Sequence, residues 1–210
     1  MTASQKLRIN QTLPRIIKRS FDIILSSSVL IILAVPVYLP IAIAVKLTSK
    51  GPVFFRQKRS GRNGKTFEIL KFRSMLVNDI SDSSLTEPND KRLTRVGKFL
   101  RKTSLDEMPQ FFNVLKGEMS VVGPRPHMLS QDTRYKEIIS EYHLRHLVKP
   151  GITGWAQANG FRGPTTHISQ MEERITYDLE YIKNYNFLWD IQIIGKTFYN
   201  IIFTKEKNAF

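Results

Sequence analysis

The stretch IILSSSVLIILAVPVYLPIAIAV, residues 23–45, decides how the rest of the chain is read. It has no charged residue in 23 positions. At about 1.5 Å per residue a straight helix of that length reaches about 34 Å, enough for a bilayer core of about 30 Å. Arg15, Lys18 and Arg19 precede it, and Lys46, Lys50, Arg56, Lys58 and Arg59 follow it. Lys and Arg favour the cytoplasmic side, so a single crossing would leave one basic flank on the disfavoured side. Pro36 and Pro40 lie inside the run, and each removes a helical hydrogen bond. Together these features predict a re-entrant helix, broken at Pro36, that dips into the bilayer and returns. A kinked span is the competing expectation, because spanning helices tolerate proline. The run starts too far into the chain for a cleavable signal peptide and lacks a small-residue cleavage site.

Outward from this segment, the 210 residues suit one domain plus a membrane element. A net charge of +14 calls for an anionic partner: nucleic acid, an anionic membrane surface or a phosphorylated substrate. The chain has no cysteine, which excludes disulfides and thiolate metal sites. VFFRQ (53–57) and TFEILKF (66–72) alternate like strands around the turn SGRNGK (60–65), predicting a β-hairpin. Residues 78–90 are polar and read as a mobile loop. Residues 93–100 are short and amphipathic, a helix is expected over 104–115, stopped by Gly117, and further ones over 130–147, 171–183 and 187–203. The last, edged by Lys183, Lys196, Lys205 and Lys207, fits a membrane-interface helix or a core helix. GITGWAQANGFRG (151–163) reads as a glycine-rich loop.

The stretch RKTSLDEMPQFFNVLKGEMSVVGPRP (101–126) holds the adjacent acids Asp106 and Glu107 at a helix start. With Ser104 as N-cap, Glu107 completes a capping box, whereas Pro109 favours a later start with Asp106 as the cap. Plain capping is the bland reading and catalysis the sharper one. The same helix end favours phosphate. Lys71, Arg73, Arg92, Arg95, Arg101 and Arg125 are candidates to neutralise a pyrophosphate, with a solvated basic face as the alternative. Gln157, Asn159 and Arg162 are candidates to read a nucleotide or sugar, or else structural turn residues. His143 and His146, three apart, lack a clear third metal ligand, and His127 alone carries no signal. Trp155 and Trp189 read as packing residues.

Four ordered blocks carry a resemblance: KRSFDIILSSSVLIILAVP (18–36), KLTSKGPVFFRQKRSGRNGKTFEILKFRSM (46–75), SLDEMPQFFNVLKGEMSVVGPRP (104–126) and KPGITGWAQANG (149–160). They resemble the bacterial sugar transferases, the monotopic polyprenyl-phosphate phosphoglycosyl transferases. GPRPHM (123–128), the segment 142–163, YDLEYIKN (177–184) and the final KNAF are similar to the branch of undecaprenyl-phosphate glucose phosphotransferases that begin exopolysaccharide units. Those proteins often carry a large N-terminal membrane region, and the expectation here is the catalytic module alone. Val35 stands before Pro36 where family members usually have serine.

The resemblance implies a predominantly helical α+β fold. It would pair an N-terminal re-entrant membrane helix (1–50) with a catalytic domain (51–210) that carries a small β-hairpin and rests on the cytoplasmic face of the bacterial inner membrane. It implies that Asp106 is the nucleophile on a UDP-sugar, with Mg²⁺ shared between Asp106 and Glu107. Lys71, Arg73, Arg101, Arg125, Gln157 and Arg162 would bind the phosphates and the nucleotide sugar. Undecaprenyl phosphate is the implied acceptor and membrane lipids the implied surroundings, with no nucleic-acid partner and a homo-oligomer left open. UDP-glucose is the leading donor, ahead of UDP-galactose or another UDP-sugar. A membrane-anchored basic binding or scaffold protein without catalysis is the remaining alternative.

Overall fold

A computed structural model of the protein describes Ile9, residues 11–78, residues 90–163, Thr165 and residues 167–203. The polar loop expected between 78 and 90, Lys205, Lys207 and the KNAF ending lie outside these residues except at the loop's two edges. Among the described residues the order begins with α1 (Thr12–Leu33), a wider π turn (Ala34–Tyr38) and α2 (Leu39–Thr48). The hairpin β1 (Phe54–Ser60) and β2 (Thr66–Phe72) follows, then α3 (Arg95–Thr103), a 3-10 turn (Leu105–Glu107) and α4 (Gln110–Lys116). Next come β3 (Ser120–Val122), α5 (Leu129–Ile138), a second 3-10 stretch (Tyr142–Leu147) and β4 (Gly151–Thr153). The chain closes with α6 (Trp155–Ala158), α7 (Ile168–Lys183) and α8 (Phe187–Phe203).

The proline pair acts where it stands. Pro36 lies inside the π turn and Pro40 at the start of α2, where its missing N–H costs little. The joined segment Thr12–Thr48 is 37 residues long and is apolar enough to cross a membrane. Its amphipathicity is inverted. Lys18, Asp22 and Ser26, spaced four apart on one face, are buried against the body, while Leu13, Ile16, Ile24, Ile31, Ile32 and Val35 are exposed.

Both limbs of the bend hold the same body. On α1, Lys18 Nζ donates to Asp190 (2.7 Å) and Arg19 donates to the carbonyls of Val114 (2.6 Å) and Leu115 (2.9 Å). Asp22 accepts from Ser120 Oγ and the Val121 N–H. On the other limb, Tyr38 Oη donates to the Met108 carbonyl (2.7 Å), and Ile41 and Val45 pack with Phe72 and Leu100. Arg73 donates to the carbonyls of Lys50, Ser49 and Val45, closing the last turn of α2.

The hairpin pairs antiparallel from Phe54↔Phe72 to Ser60↔Thr66, as its alternation predicts. Two expected elements come out differently. The helix expected over 130–147 breaks after Ile138, where Ile139 is extended (φ −116°, ψ 109°). The chain then re-enters as a 3-10 stretch that turns Tyr142 and Arg145, three residues apart, inward. The glycine loop opens as β4, paired in parallel with β3 through Ser120↔Gly151 and Val122↔Thr153. A Cβ on Gly151 would sit 2.1 Å from the Gly123 nitrogen, so this close pairing requires glycine. The main core gathers Val114, Met119, Tyr142, Met171, Tyr181 and Ile193 among others.

Candidate active site

The acidic pair sits on a turn shaped by backbone strain rather than on a helix cap. Thr94 caps α3 by accepting from the Gly97 N–H (2.9 Å). Gly97 allows α3 to touch the hairpin's exit, since a Cβ there would fall 1.8 Å from the Ser74 carbonyl oxygen. The helix ends at Ser104, which is left-handed (φ 60°) and makes no side-chain cap. The next three residues wind as a 3-10 turn, and Pro109 then stands at the N-cap of α4. Neither capping arrangement expected from the sequence forms. With Ser104 left-handed its hydroxyl does not cap the following turn, and the Glu107 carboxylate is taken up by cations instead.

Those cations come from three other segments. Lys71 Nζ from β2 is 2.9 Å from Glu107 Oε1, and Arg125 Nη2, after β3, is 2.8 Å from the same oxygen. Arg162 Nη2, after α6, lies 3.5 Å from Glu107 Oε2. Burial pushes the Glu107 carboxyl up, but Arg125, Lys71 and Arg162 outweigh it and hold the group well below the usual carboxylate range. Burial lowers the Lys71 ammonium, with Glu107 opposing.

Asp106 is the contrast. It is 7% exposed, yet among the described residues its carboxylate makes no hydrogen bond or ion pair. Burial raises its pKa, and the like charge of Glu107 adds to the rise, while Lys71, Arg101 and Arg162 pull against it. Arg101 Nε donates to Ser74 Oγ (2.9 Å), and its guanidinium is among the charges that bear on Asp106. The turn stands at the foot of the apolar segment: Tyr38, at the end of the π turn, grips the Met108 carbonyl, and Leu105 and Met108 pack with Ile41 and Val45.

The fold therefore brings Lys71, Arg101, Asp106, Glu107, Arg125 and Arg162 together. Arg73 is kept apart by its bonds to the end of α2, and Arg92 pairs with Asp90 (2.6 Å). Arg95 is exposed at the start of α3. Gln157 donates to the Ile152 carbonyl (2.9 Å), and Asn159 donates to the Trp155 carbonyl (2.8 Å) and receives Lys196. His146 faces Asp132 (3.5 Å) and His143 faces the Ser140 carbonyl. Trp155 packs edge-on against Trp189.

Behind Arg125 lies a buried network that the sequence did not reveal. Arg145 is paired with Asp178 (2.9 Å) and donates Nη2 to the Arg125 carbonyl (2.6 Å). His127 Nδ1 lies 2.7 Å from Tyr142 Oη and 2.8 Å from Arg145 Nη1, and Nε2 lies 3.3 Å from Arg174 Nη1. Tyr142 Oη donates on to Asp132. Burial and the two flanking guanidiniums hold the His127 imidazole well below its usual range, so the ring stays neutral. Arg145 and Asp178 are 33 residues apart, and no local pattern couples them.

Sequence comparison supplies the family. The bacterial sugar transferase family matches residues 13–204. The chain belongs to that family. Within it, the chain is 52% identical over 185 residues to the UDP-glucose:undecaprenyl-phosphate glucose-1-phosphate transferase of Escherichia coli (strain K12), covering 87% of this chain and 39% of that protein. It is 47% identical over 187 residues to the exopolysaccharide production protein PSS of Rhizobium leguminosarum bv. phaseoli, covering 87% of this chain and 93% of that protein. A third bacterial sugar transferase relative is the UDP-N-acetylgalactosamine-undecaprenyl-phosphate N-acetylgalactosaminephosphotransferase of Aeromonas hydrophila, at 42% over 187 residues, 89% of this chain and 44% of that protein. The chain thus spans about two-fifths of the Escherichia coli relative's length.

Proposed function

We propose that this bacterial sugar transferase moves glucose 1-phosphate from UDP-glucose to undecaprenyl phosphate, releasing UMP, through a sugar-phosphoryl ester on Asp106. One observation carries the reading. A buried carboxylate with no hydrogen bond or ion pair among the described residues stands beside a carboxylate saturated by cations, on a turn bound to the break in an apolar helix.

In the first half-reaction an Asp106 oxygen attacks the β-phosphorus of the donor. The bond from that phosphorus to the bridging oxygen breaks, and UMP leaves with the electron pair. In the second half-reaction a phosphate oxygen of the carrier attacks the same phosphorus, the aspartyl ester breaks, and the free carboxylate returns. Splitting one transfer in two is the logic of covalent catalysis, and a carboxylate with a raised pKa is a better nucleophile once ionised. Lys71, Arg125 and Arg162 share one carboxylate among three cations, which leaves net positive charge for the diphosphate. The names of the relatives in Escherichia coli and Aeromonas hydrophila supply the donor and carrier classes. The second of these keeps UDP-N-acetylgalactosamine as an alternative donor, beside the UDP-galactose or other UDP-sugar that the resemblance allows.

The side chains present fit Mg²⁺ with one change from the sequence expectation. Mg²⁺ takes one or two carboxylates plus substrate phosphates, and Asp106 has free oxygens whereas both Glu107 oxygens face cations. Asp106 would hold the ion, which would neutralise charge on the diphosphate. Activity is expected to vanish on exhaustive chelation and to return with Mg²⁺. Full turnover in a chelator would remove the metal from the scheme.

The inverted stripe on α1, together with the attachment of both limbs to one body, supports a re-entrant helix and a catalytic face on the cytoplasmic side. Labelling cysteines placed at Lys6 and Lys58 from each side of the membrane tests this, and opposite-side access would mean a span. The chemistry is tested by incubating the protein with UDP-glucose alone. It should gain the mass of one glucose phosphate on Asp106 and release an equal amount of UMP. Product formation with Asp106 never modified would overturn the mechanism, and a panel of UDP-sugars decides the donor.

A further inference from the structure

A second cationic cluster lies away from Asp106 and Glu107, where α1 meets the end of α4. Gly117 closes α4 in the left-handed region (φ 83°). A Cβ added there would meet, among the described residues, only Lys149 Nζ at 3.6 Å and the Arg19 guanidinium, whose Nη2 is at 3.7 Å. The two nitrogens are therefore at most about 7 Å apart, a gap that one tetrahedral anion bridges by accepting bonds of about 2.8 Å on two of its oxygens.

The cluster is preorganised and short of negative charge. Arg19 is held in place by its two bonds to the carbonyls at the end of α4. The Lys149 side chain makes no hydrogen bond or ion pair among the described residues, and the Arg62 side chain makes none either, with its Nε buried. Arg62 follows Gly61, which lines one cavity with Val148 and Pro150, the two neighbours of Lys149, and Arg15 stands one helical turn before Arg19 on α1. In keeping with this, burial and the charges of Arg19, Arg62 and Lys18 lower the Lys149 ammonium, and burial and Arg15 lower the Arg62 guanidinium. The acid that opposes them at Lys149 is Asp22, whose Oδ1 is already bonded to Ser120 and Val121. Arg19, Arg62 and Lys149 thus share only that committed carboxylate, since Lys18 has Asp190. None of the three is paired with Asp106 or Glu107.

We propose that Arg19, Arg62 and Lys149, with Arg15 at the rim, form a phosphate-binding site separate from the Asp106 cluster and filled by the headgroup of an anionic membrane lipid. The placement favours a lipid over a soluble anion. Arg15 and Arg19 stand on the helix whose exposed face offers Leu13, Ile16, Ile17 and Ile23, so acyl chains have an apolar surface beside the charges. The site would fix the depth and rotation of α1 at the interface.

The test is lipid retention by the whole chain in a neutral detergent, counted by native mass spectrometry. The probes are phosphatidylglycerol, phosphatidylcholine and inorganic phosphate. Wild type is expected to keep one phosphatidylglycerol in preference to phosphatidylcholine. An Arg62→Gln/Lys149→Gln variant should keep it about tenfold less, since about 1.4 kcal/mol is tenfold in affinity. An Arg56→Gln/Lys58→Gln variant loses the same charge from β1 and should behave as wild type. Equal loss in both variants would reduce the effect to net charge and overturn the site, as would the absence of any preference in wild type. Displacement of the lipid by millimolar inorganic phosphate, with the same dependence on Arg62 and Lys149, would keep the anion site and overturn the lipid as its occupant. The variants remove no hydrogen bond seen among the described residues, and an unchanged far-UV spectrum checks that they fold. Because the readout is binding and not turnover, its failure is separable from failure of the Asp106 chemistry.

Discussion

Two charged regions lie back to back in this molecule and follow opposite rules. Around His127 most of the charge is matched: Arg145 has Asp178, Tyr142 has Asp132, the imidazole stays neutral, and Arg174 donates to the Gly163 carbonyl, with only its Nε left over among the described residues. Around Glu107 the charges are mismatched: three cations share one carboxylate, and the second carboxylate, Asp106, is buried without a hydrogen bond or ion pair among the described residues. A matched region gives rigidity and a mismatched one leaves something for a ligand to complete. The two are joined at one atom, the Arg125 carbonyl, which Arg145 holds while the Arg125 side chain faces Glu107.

The comparison is broken most severely by Asp106→Asn. Turnover and donor-only UMP release should both fall by more than about 10³-fold, because the attacking group is gone. Thermal stability should stay level or rise, because an unpaired buried charge has been removed. A variant that keeps turnover would place Asp106 among structural residues. Next in size is Asp178→Ala on the matched side. It strands Arg145 in the interior and should cost about 3–5 kcal/mol in denaturant unfolding. A loss below about 1 kcal/mol would show the network to be soft.

The pH dependence of stability sharpens the contrast. His127 is held below its usual range in the fold and titrates normally once unfolded, so below about pH 6.5 the unfolded state binds the extra proton. Stability should therefore be level above that pH and should fall by up to about 1.4 kcal/mol per unit below it. His127→Asn should remove that limb from the unfolding profile. The smallest effect belongs to Glu107→Gln. Its charge raises the Asp106 pKa, so its removal should move the acid limb of donor-only UMP release to lower pH, by less than about one unit. A shift to higher pH would mean that the limb reports another group.

What the sequence made legible was local. The alternation of VFFRQ and TFEILKF set the hairpin, the apolar run over 187–203 matches α8, and the adjacency of Asp106 and Glu107 among basic residues marked the site. What stayed hidden was decided by distant partners. The left-handed Ser104 replaced a cap that local rules favoured. Arg73 looks like any other basic residue near the hairpin, yet three carbonyls at the end of α2 claim it. The pairing of β3 with β4 involves two three-residue strands, too short for periodicity to show, and depends on how closely Gly151 approaches Gly123. Arg62 and Lys149 lie far apart in sequence, and only the fold brings the charge of one to bear on the other.

The polar stripe of α1 also bears on how the protein is made. Lys18 leaves the ribosome 172 residues before Asp190, the carboxylate that neutralises it. Until α8 emerges, that ammonium, on the basic flank before the apolar run, lacks the carboxylate that holds it to the body. Docking of α1 on the body is consequently completed late in synthesis. Nascent chains halted before Phe187 should be cut by protease around Lys18, whereas full-length chains should resist.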